Sequence, residues 1–193
     1  MSKSYFSTAL KISLKLLIIC AIVAGVVSFV YSATIDAYNL NLKNEQKIAL
    51  QGIFASSDSD VIDFEEMAYD AEGVNSIYDV SNNFEHVGYC VNIIGKGFGG
   101  DMTLMIGYDT NGSLKGIKII SHAETPGVGT KALSDSHLSQ YVGMGGELTI
   151  SKSSASDIVA VSGATISSKA IHATVNKTNA IISELMEKQG GIE

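Results

Sequence analysis

The chain has no arginine, two cysteines and a single proline, and these shortages remove whole classes of function. Arginine is the usual bidentate clamp on phosphate, and all 13 basic residues here are lysine, so a phosphate must be held by other means. Cys20 and Cys90 fall short of the four thiolates that normally hold an iron-sulfur cluster. Cys20 lies in an apolar run and Cys90 in an expected strand, so they read as two free, packed thiols rather than a disulfide. His86, His137 and His172 show no metal-ligand spacing with either cysteine, which argues against zinc. There is no dinucleotide-binding fingerprint, no internal repeat and no low-complexity tract. Any redox chemistry must therefore come from an organic cofactor. The net charge of −7 argues against nucleic acid as a partner.

One absence is local. From Leu16 to Ile35 twenty residues pass without a charge, long enough at about 1.5 Å per residue to span a bilayer's hydrocarbon core. Lys3, Lys11 and Lys15 precede this run and Asp36 follows it, so the positive-inside rule keeps a short tail in the cytoplasm and exports the rest. Tyr31 suits the far interface. A cleaved leader fits less well, because the apolar run is long and Val30-Tyr31-Ser32 is a poor cleavage site. Beyond Ile35 the balance is acidic, with ten lysines against 20 acids. The expected organisation is a tail over residues 1–15, a transmembrane helix over 16–35, a linking helix and loop region over 36–86, and a domain over 87–193.

The linking helix keeps its rhythm through Ile35, Tyr38, Leu42, Ala49 and Ile53, ahead of a polar loop at residues 56–60. A short acidic helix is expected around Phe64 to Ala71. The centre predicts an antiparallel meander. Val87 to Ile93 alternates as a half-buried strand, a glycine turn follows from Gly95 to Gly100, and Met102 to Tyr108 and Leu114 to Ser121 flank an Asn111-Gly112 hairpin turn. A helix over Leu133 to Val142 would turn Leu133, His137, Leu138 and Tyr141 inward. Short strands are expected at Glu147 to Ile150 and Ile158 to Val161. A long helix from Ile166 to about Lys188, with Ile171, Val175, Thr178, Ile182 and Leu185 on one face, ends at Gly190-Gly191. The fold class is α+β.

Two runs carry chemistry. Ser162-Gly163-Ala164-Thr165 joins a short apolar strand to the long helix, where free backbone N–H groups and the positive dipole end favour a phosphate. Gly163 allows close backbone approach, and Thr165, Ser167 and Ser168 bring hydroxyls. The competing reading is an ordinary N-cap. The second run is His122-Ala123-Glu124-Thr125-Pro126-Gly127-Val128-Gly129-Thr130-Lys131. Its glycines let the loop lie flat against a planar ring, with Glu124 and Thr125 available to a heterocycle's edge and Val128 to its face. His122 is open to either donation or loop closure, and Lys131 to balancing phosphate charge. Tyr89 and Phe98 read as core residues before ring-stacking partners. No residue is assigned a catalytic role.

Together, His-x-Glu-Thr-Pro-Gly-x-Gly and Ser-Gly-Ala-Thr resemble the FMN-binding domain shared by the G-type subunit of the Rnf electron-transport complex and the C-type subunit of the sodium-translocating NADH:quinone reductase. The resemblance runs from about Gly88 to the end of the long helix, and a single N-terminal anchor agrees with it. It implies FMN joined through its phosphate to Thr165 by a separate flavin transferase, outside the cytoplasmic membrane. It also implies multi-span and iron-sulfur subunits as partners. Where the family carries aspartate six residues before the threonine, this chain has Val159, and Asp157 lies two residues further upstream. A length of 193 residues favours the Rnf branch, in which electrons run between ferredoxin and NAD while ions cross the membrane. A stand-alone extracytoplasmic flavin carrier and a non-redox tethered module are the competing expectations.

Overall fold

The computed structural model describes residues 2–57, 60–152 and 157–190. The chain forms two compact units, Met1–Asn44 and Glu45–Glu193. The first consists of helix α1 (Ser2–Phe54), whose last turns belong to the second unit. This helix is long and apolar enough to cross a membrane, and the best stretch has a mean hydropathy of 2.5 with none of it buried. Side chains such as Leu17, Val27 and Phe29 are open to the surroundings. That pattern is costly in water and natural in hydrocarbon.

The second unit is built on a five-stranded antiparallel sheet in the order β1 (Ile62–Met67), β2 (Val74–Asn82), β3 (Glu85–Lys96), β4 (Asp101–Tyr108), β5 (Leu114–His122). Each strand pairs with the next one in sequence, as short hairpin loops require. Both faces are covered. One carries Ile77, Val91, Ile93, Leu104, Ile106 and Ile117 against helix α3 (Thr165–Gly190). The other carries Tyr78, Val80, Cys90 and Met105 against Ala49, Leu50, Ile53 and Phe54 from the end of α1. Strand β3 is therefore buried on both sides in its middle and loses the clean alternation of a one-sided strand. Burial pushes the Cys90 thiol well above its ordinary range, so it stays a protonated packing group.

Helix α3 turns the expected stripe of Ile171, Val175, Thr178, Ile182 and Leu185 into the core. Its asparagines fix the chain beside it. Asn176 Nδ2 donates to Leu148 O at 2.9 Å and its Oδ1 accepts the Leu148 N–H at 3.1 Å. The Tyr108 hydroxyl donates to Asn179 Oδ1 at 2.7 Å, across the sheet–helix boundary.

Five expectations need correction. Ile62–Met67 is strand β1, not part of an acidic helix, because its backbone pairs with Ile77–Asn82 and its acids point away from cover. The region 36–86 is therefore more than a linking helix and loop, since β1 and β2 are built into the sheet. Within the linking helix Tyr38 is exposed, and packing starts only at Ala49. The helix expected over Leu133 to Val142 is three short turns: a 3-10 turn at Gly129–Leu133, helix α2 (Asp135–Leu138), and a 3-10 turn at Ser139–Tyr141. Ser134 separates the first turn from α2 with an extended conformation (ψ 145°), and the last turn follows α2 directly. The two later strands shrink to β6 (Ile150–Ser151) and β7 (Ile158–Val159), a parallel pair, because Asn176 already holds Leu148. Gly191, two of the five residues of the 56–60 loop, and residues 153–156 lie outside the described residues.

Candidate functional site

Among the described residues, helix α3 starts without a side-chain cap. Its first helical hydrogen bond runs from the Ser168 N–H to Ala164 O at 2.9 Å, which makes Ala164 the capping residue and Thr165 the first residue of the helix. Alanine has no side-chain acceptor for the free N–H groups of the first turn. The ordinary N-cap reading of this serine- and threonine-rich run therefore fails at the one position where a cap would sit. A tight turn delivers the chain there: the Ala164 N–H donates to Val161 O at 3.0 Å, and Gly163 inside the turn takes φ 79°, the left-handed region that glycine enters without strain. Ser168 Oγ closes the turn from the helix side by accepting the Val161 N–H at 3.1 Å.

A cavity of about 350 Å³ opens at this helix start, a size typical of small-molecule sites. Gly163, Ala164, Thr165, Ile166 and Ser167 form one wall, Val128 and Gly129 another, and Phe98 and Lys152 complete it. Thr165 is half-buried, and no hydrogen bond among the described residues engages its hydroxyl. Phe98, Val128 and Ile166 expose 61%, 45% and 59% of their surface, so the mouth has an apolar rim fit for a flat ring. Phe98 is thus a cavity residue and not the core residue expected. Lys152 is the one charged side chain among the described lining residues. Lys131 stands outside the lining, with its Nζ 3.8 Å from where a side chain at Gly163 would begin.

The glycine loop is arranged differently. Glu124 is buried and its carboxylate is engaged inside the protein: Oε1 accepts the Phe98 N–H at 2.9 Å and Oε2 the Gly99 N–H at 3.2 Å. The carboxylate lies so close to Gly97 and Gly129 that a Cβ at either would come within 2 Å of an oxygen. Glu124 therefore ties the β3–β4 turn to the loop and sets Phe98 opposite Val128. The rest of the loop is also self-bonded. Thr125 O accepts from the N–H groups of Val128 (3.2 Å) and Thr130 (3.4 Å), and Gly127 N–H donates to Thr130 Oγ1 at 2.9 Å. His122, at the end of β5, and Ser162 are exposed and do not line the cavity.

Thus Val128, Gly129, Gly163, Ala164 and Thr165 come together around one cavity, while Glu124, Thr125 and Gly127 shape the loop behind it. Ser167, one of the hydroxyls expected at the helix start, joins the lining, and Lys152 completes it without a distinguishing sequence signal, as a single polar residue in a polar stretch. Val159 has its backbone held by Gln140, whose Oε1 accepts the Val159 N–H at 2.8 Å. Asp157 instead accepts from the Thr149 N–H and hydroxyl, both at 2.8 Å, which holds its carboxyl below the usual range.

One family and three relatives bear on this site. Residues 97–179 match the FMN-binding domain family. The chain is 34% identical over 102 residues to the G-type subunit of the proton-translocating ferredoxin:NAD(+) oxidoreductase complex of Clostridium ljungdahlii, covering 51% of this chain and 55% of that protein. It is 29% identical to the corresponding subunit of the Na(+)-translocating complex of Acetobacterium woodii, over 91% and 92% of the two chains. The G-type subunit of the ion-translocating oxidoreductase complex of Methanosarcina acetivorans is 27% identical, over 83% and 87%. The segment that matches this family contains both the glycine loop and the start of α3.

Proposed function

We propose that this chain is a membrane-anchored flavoprotein subunit of an ion-translocating ferredoxin:NAD oxidoreductase complex, carrying FMN through a phosphoester at Thr165. The observation that carries the reading is the alanine-capped helix start: an N-terminus left open, facing a cavity, with a hydroxyl at its first residue. First-turn N–H groups and the helix dipole favour the phosphate. Lys152 and Lys131 supply positive charge in place of the missing arginine. The rim of Phe98, Val128 and Ile166 fits the ring's faces, held in position by Glu124. The flavin supplies the one- and two-electron chemistry, and the protein supplies attachment, orientation and tuning. A covalent tether keeps a small cofactor in place outside the cell membrane.

The anchor reading puts residues 1–15 in the cytoplasm and the domain on the far side, by the lysines that precede the apolar run. Ferredoxin and NAD would then meet other subunits, and this chain would pass electrons without a complete activity of its own. The relatives above all carry the G designation, which favours this branch over the C-type subunit of a quinone reductase. Their named coupling ions differ, proton in one and sodium in another, so neither is assigned to this chain. Expression of the full chain with and without a flavin transferase tests the proposal. In-gel fluorescence under denaturing conditions is expected only with the transferase and only with Thr165 intact; a non-fluorescent band in the presence of transferase would sink it.

A further inference from the structure

Two neighbouring serines in the first turns of α3 are both buried, and only one is satisfied. Ser168 Oγ accepts the Val161 N–H at 3.1 Å. Ser167 is 1% exposed, lines the cavity, and its hydroxyl has no hydrogen-bond partner among the described residues. A buried hydroxyl without a partner destabilises a fold, and such groups are few in native proteins. Ser167 sits at the third position of a helix whose capping residue is Ala164, so no side chain among the described residues caps the helix in front of it. The uncapped position, the orphaned hydroxyl and the free first-turn N–H groups therefore coincide at one wall of one cavity.

We propose that Ser167 is a phosphate-positioning residue: its Oγ–H donates to a non-bridging oxygen of the phosphate seated at the start of α3, orienting that phosphate toward Thr165. This rests on the reading of the site given above and adds a second hydroxyl with a role distinct from attachment. Thr165 provides the oxygen that is esterified, while Ser167 provides a hydrogen bond and forms no covalent bond. A structural serine predicts the opposite energetics, because its removal would break a bond inside the protein. Here no hydrogen bond among the described residues is lost, and Ser167→Ala leaves the unliganded domain as stable as before or slightly more so.

The test follows the time course of flavin attachment to the full chain by a flavin transferase, read by intact mass. Alongside it, thermal unfolding of the same proteins is measured before attachment. Ser167→Ala is expected to slow attachment about tenfold, the loss typical of one hydrogen bond to a charged group, with Tm unchanged or raised. Ser167→Thr, which keeps the hydroxyl, is expected to restore the rate to within about threefold. Attachment to Ser167→Ala at the wild-type rate would overturn the proposal. So would a slow rate accompanied by a Tm loss of several degrees, since that marks a structural serine. Failure of the parent reading looks different: no label on the wild-type chain, or label retained by Thr165→Ala.

Discussion

The two runs that meet at the cavity solve opposite problems. The glycine loop from His122 to Lys131 is self-satisfied, with the Glu124 carboxylate bound to Phe98 and Gly99 and the Thr125 carbonyl bound to Val128 and Thr130. The start of α3 is left open, with alanine at the cap, a buried serine unpaired and Thr165 unengaged among the described residues. On the proposed reading one run is scaffold, and the other is seat. The comparison teaches that polar residues in a motif divide into those that hold the site and those that hold its contents. Substitutions in the first group should cost stability, and substitutions in the second should cost binding.

Thr165→Ala gives the largest contrast. Flavin attachment should be abolished completely, while the stability of the unlabelled chain stays within about 0.5 kcal/mol of the wild type, since the residue is only half-buried. Glu124→Ala should do the reverse, destabilising the domain by roughly 2 kcal/mol as two charge-assisted bonds are lost, measured by urea unfolding. Label on that variant should fall only as far as the folded fraction falls. A smaller effect concerns His137 and His172, both buried and both held below their ordinary pKa by burial. Their neutral forms suit the fold, so their contribution is complete above the unfolded value near 6.5 and declines as pH drops below it. Stability should fall by up to about 1.4 kcal/mol per pH unit for each histidine, and His172→Gln should flatten that slope in urea midpoints taken from about pH 7.5 to 5. Smallest is Gly163→Ala, which forces a side chain into the left-handed region at φ 79° and should cost about 1 kcal/mol. It should also slow attachment, as should Ser162→Ala to a lesser degree.

The same division explains what could be read from the sequence. The meander from β3 to β5 was legible because Asn111-Gly112 marks a hairpin and the flanking strands are short and apolar. Helix α3 was legible because its stripe repeats over its whole length and every member is buried. Strand β1 was not, since Ile-Asp-Phe-Glu-Glu-Met at a sheet edge keeps its acids in water and mimics an acidic helix. Strand β2 has Ile77, Tyr78 and Val80 buried against two different layers, so its pattern alternates poorly and bulges interrupt it. At the site, the motif residues announced the cavity, yet their individual roles were set by register. Whether Glu124 points at a ligand or at the Phe98 backbone depends on where β3 and β4 turn, which no local pattern encodes. Ser167 and Phe98 gain their positions from the same tertiary placement.

The most direct measurement is the intact mass of the full chain isolated from its native membrane, followed by mass spectrometry of its peptides. The account predicts an increment equal to FMN less one water, carried by the peptide that contains Thr165 and absent from the Thr165→Ala chain. An unmodified mass for the native protein, or the same increment on a different residue, would contradict it.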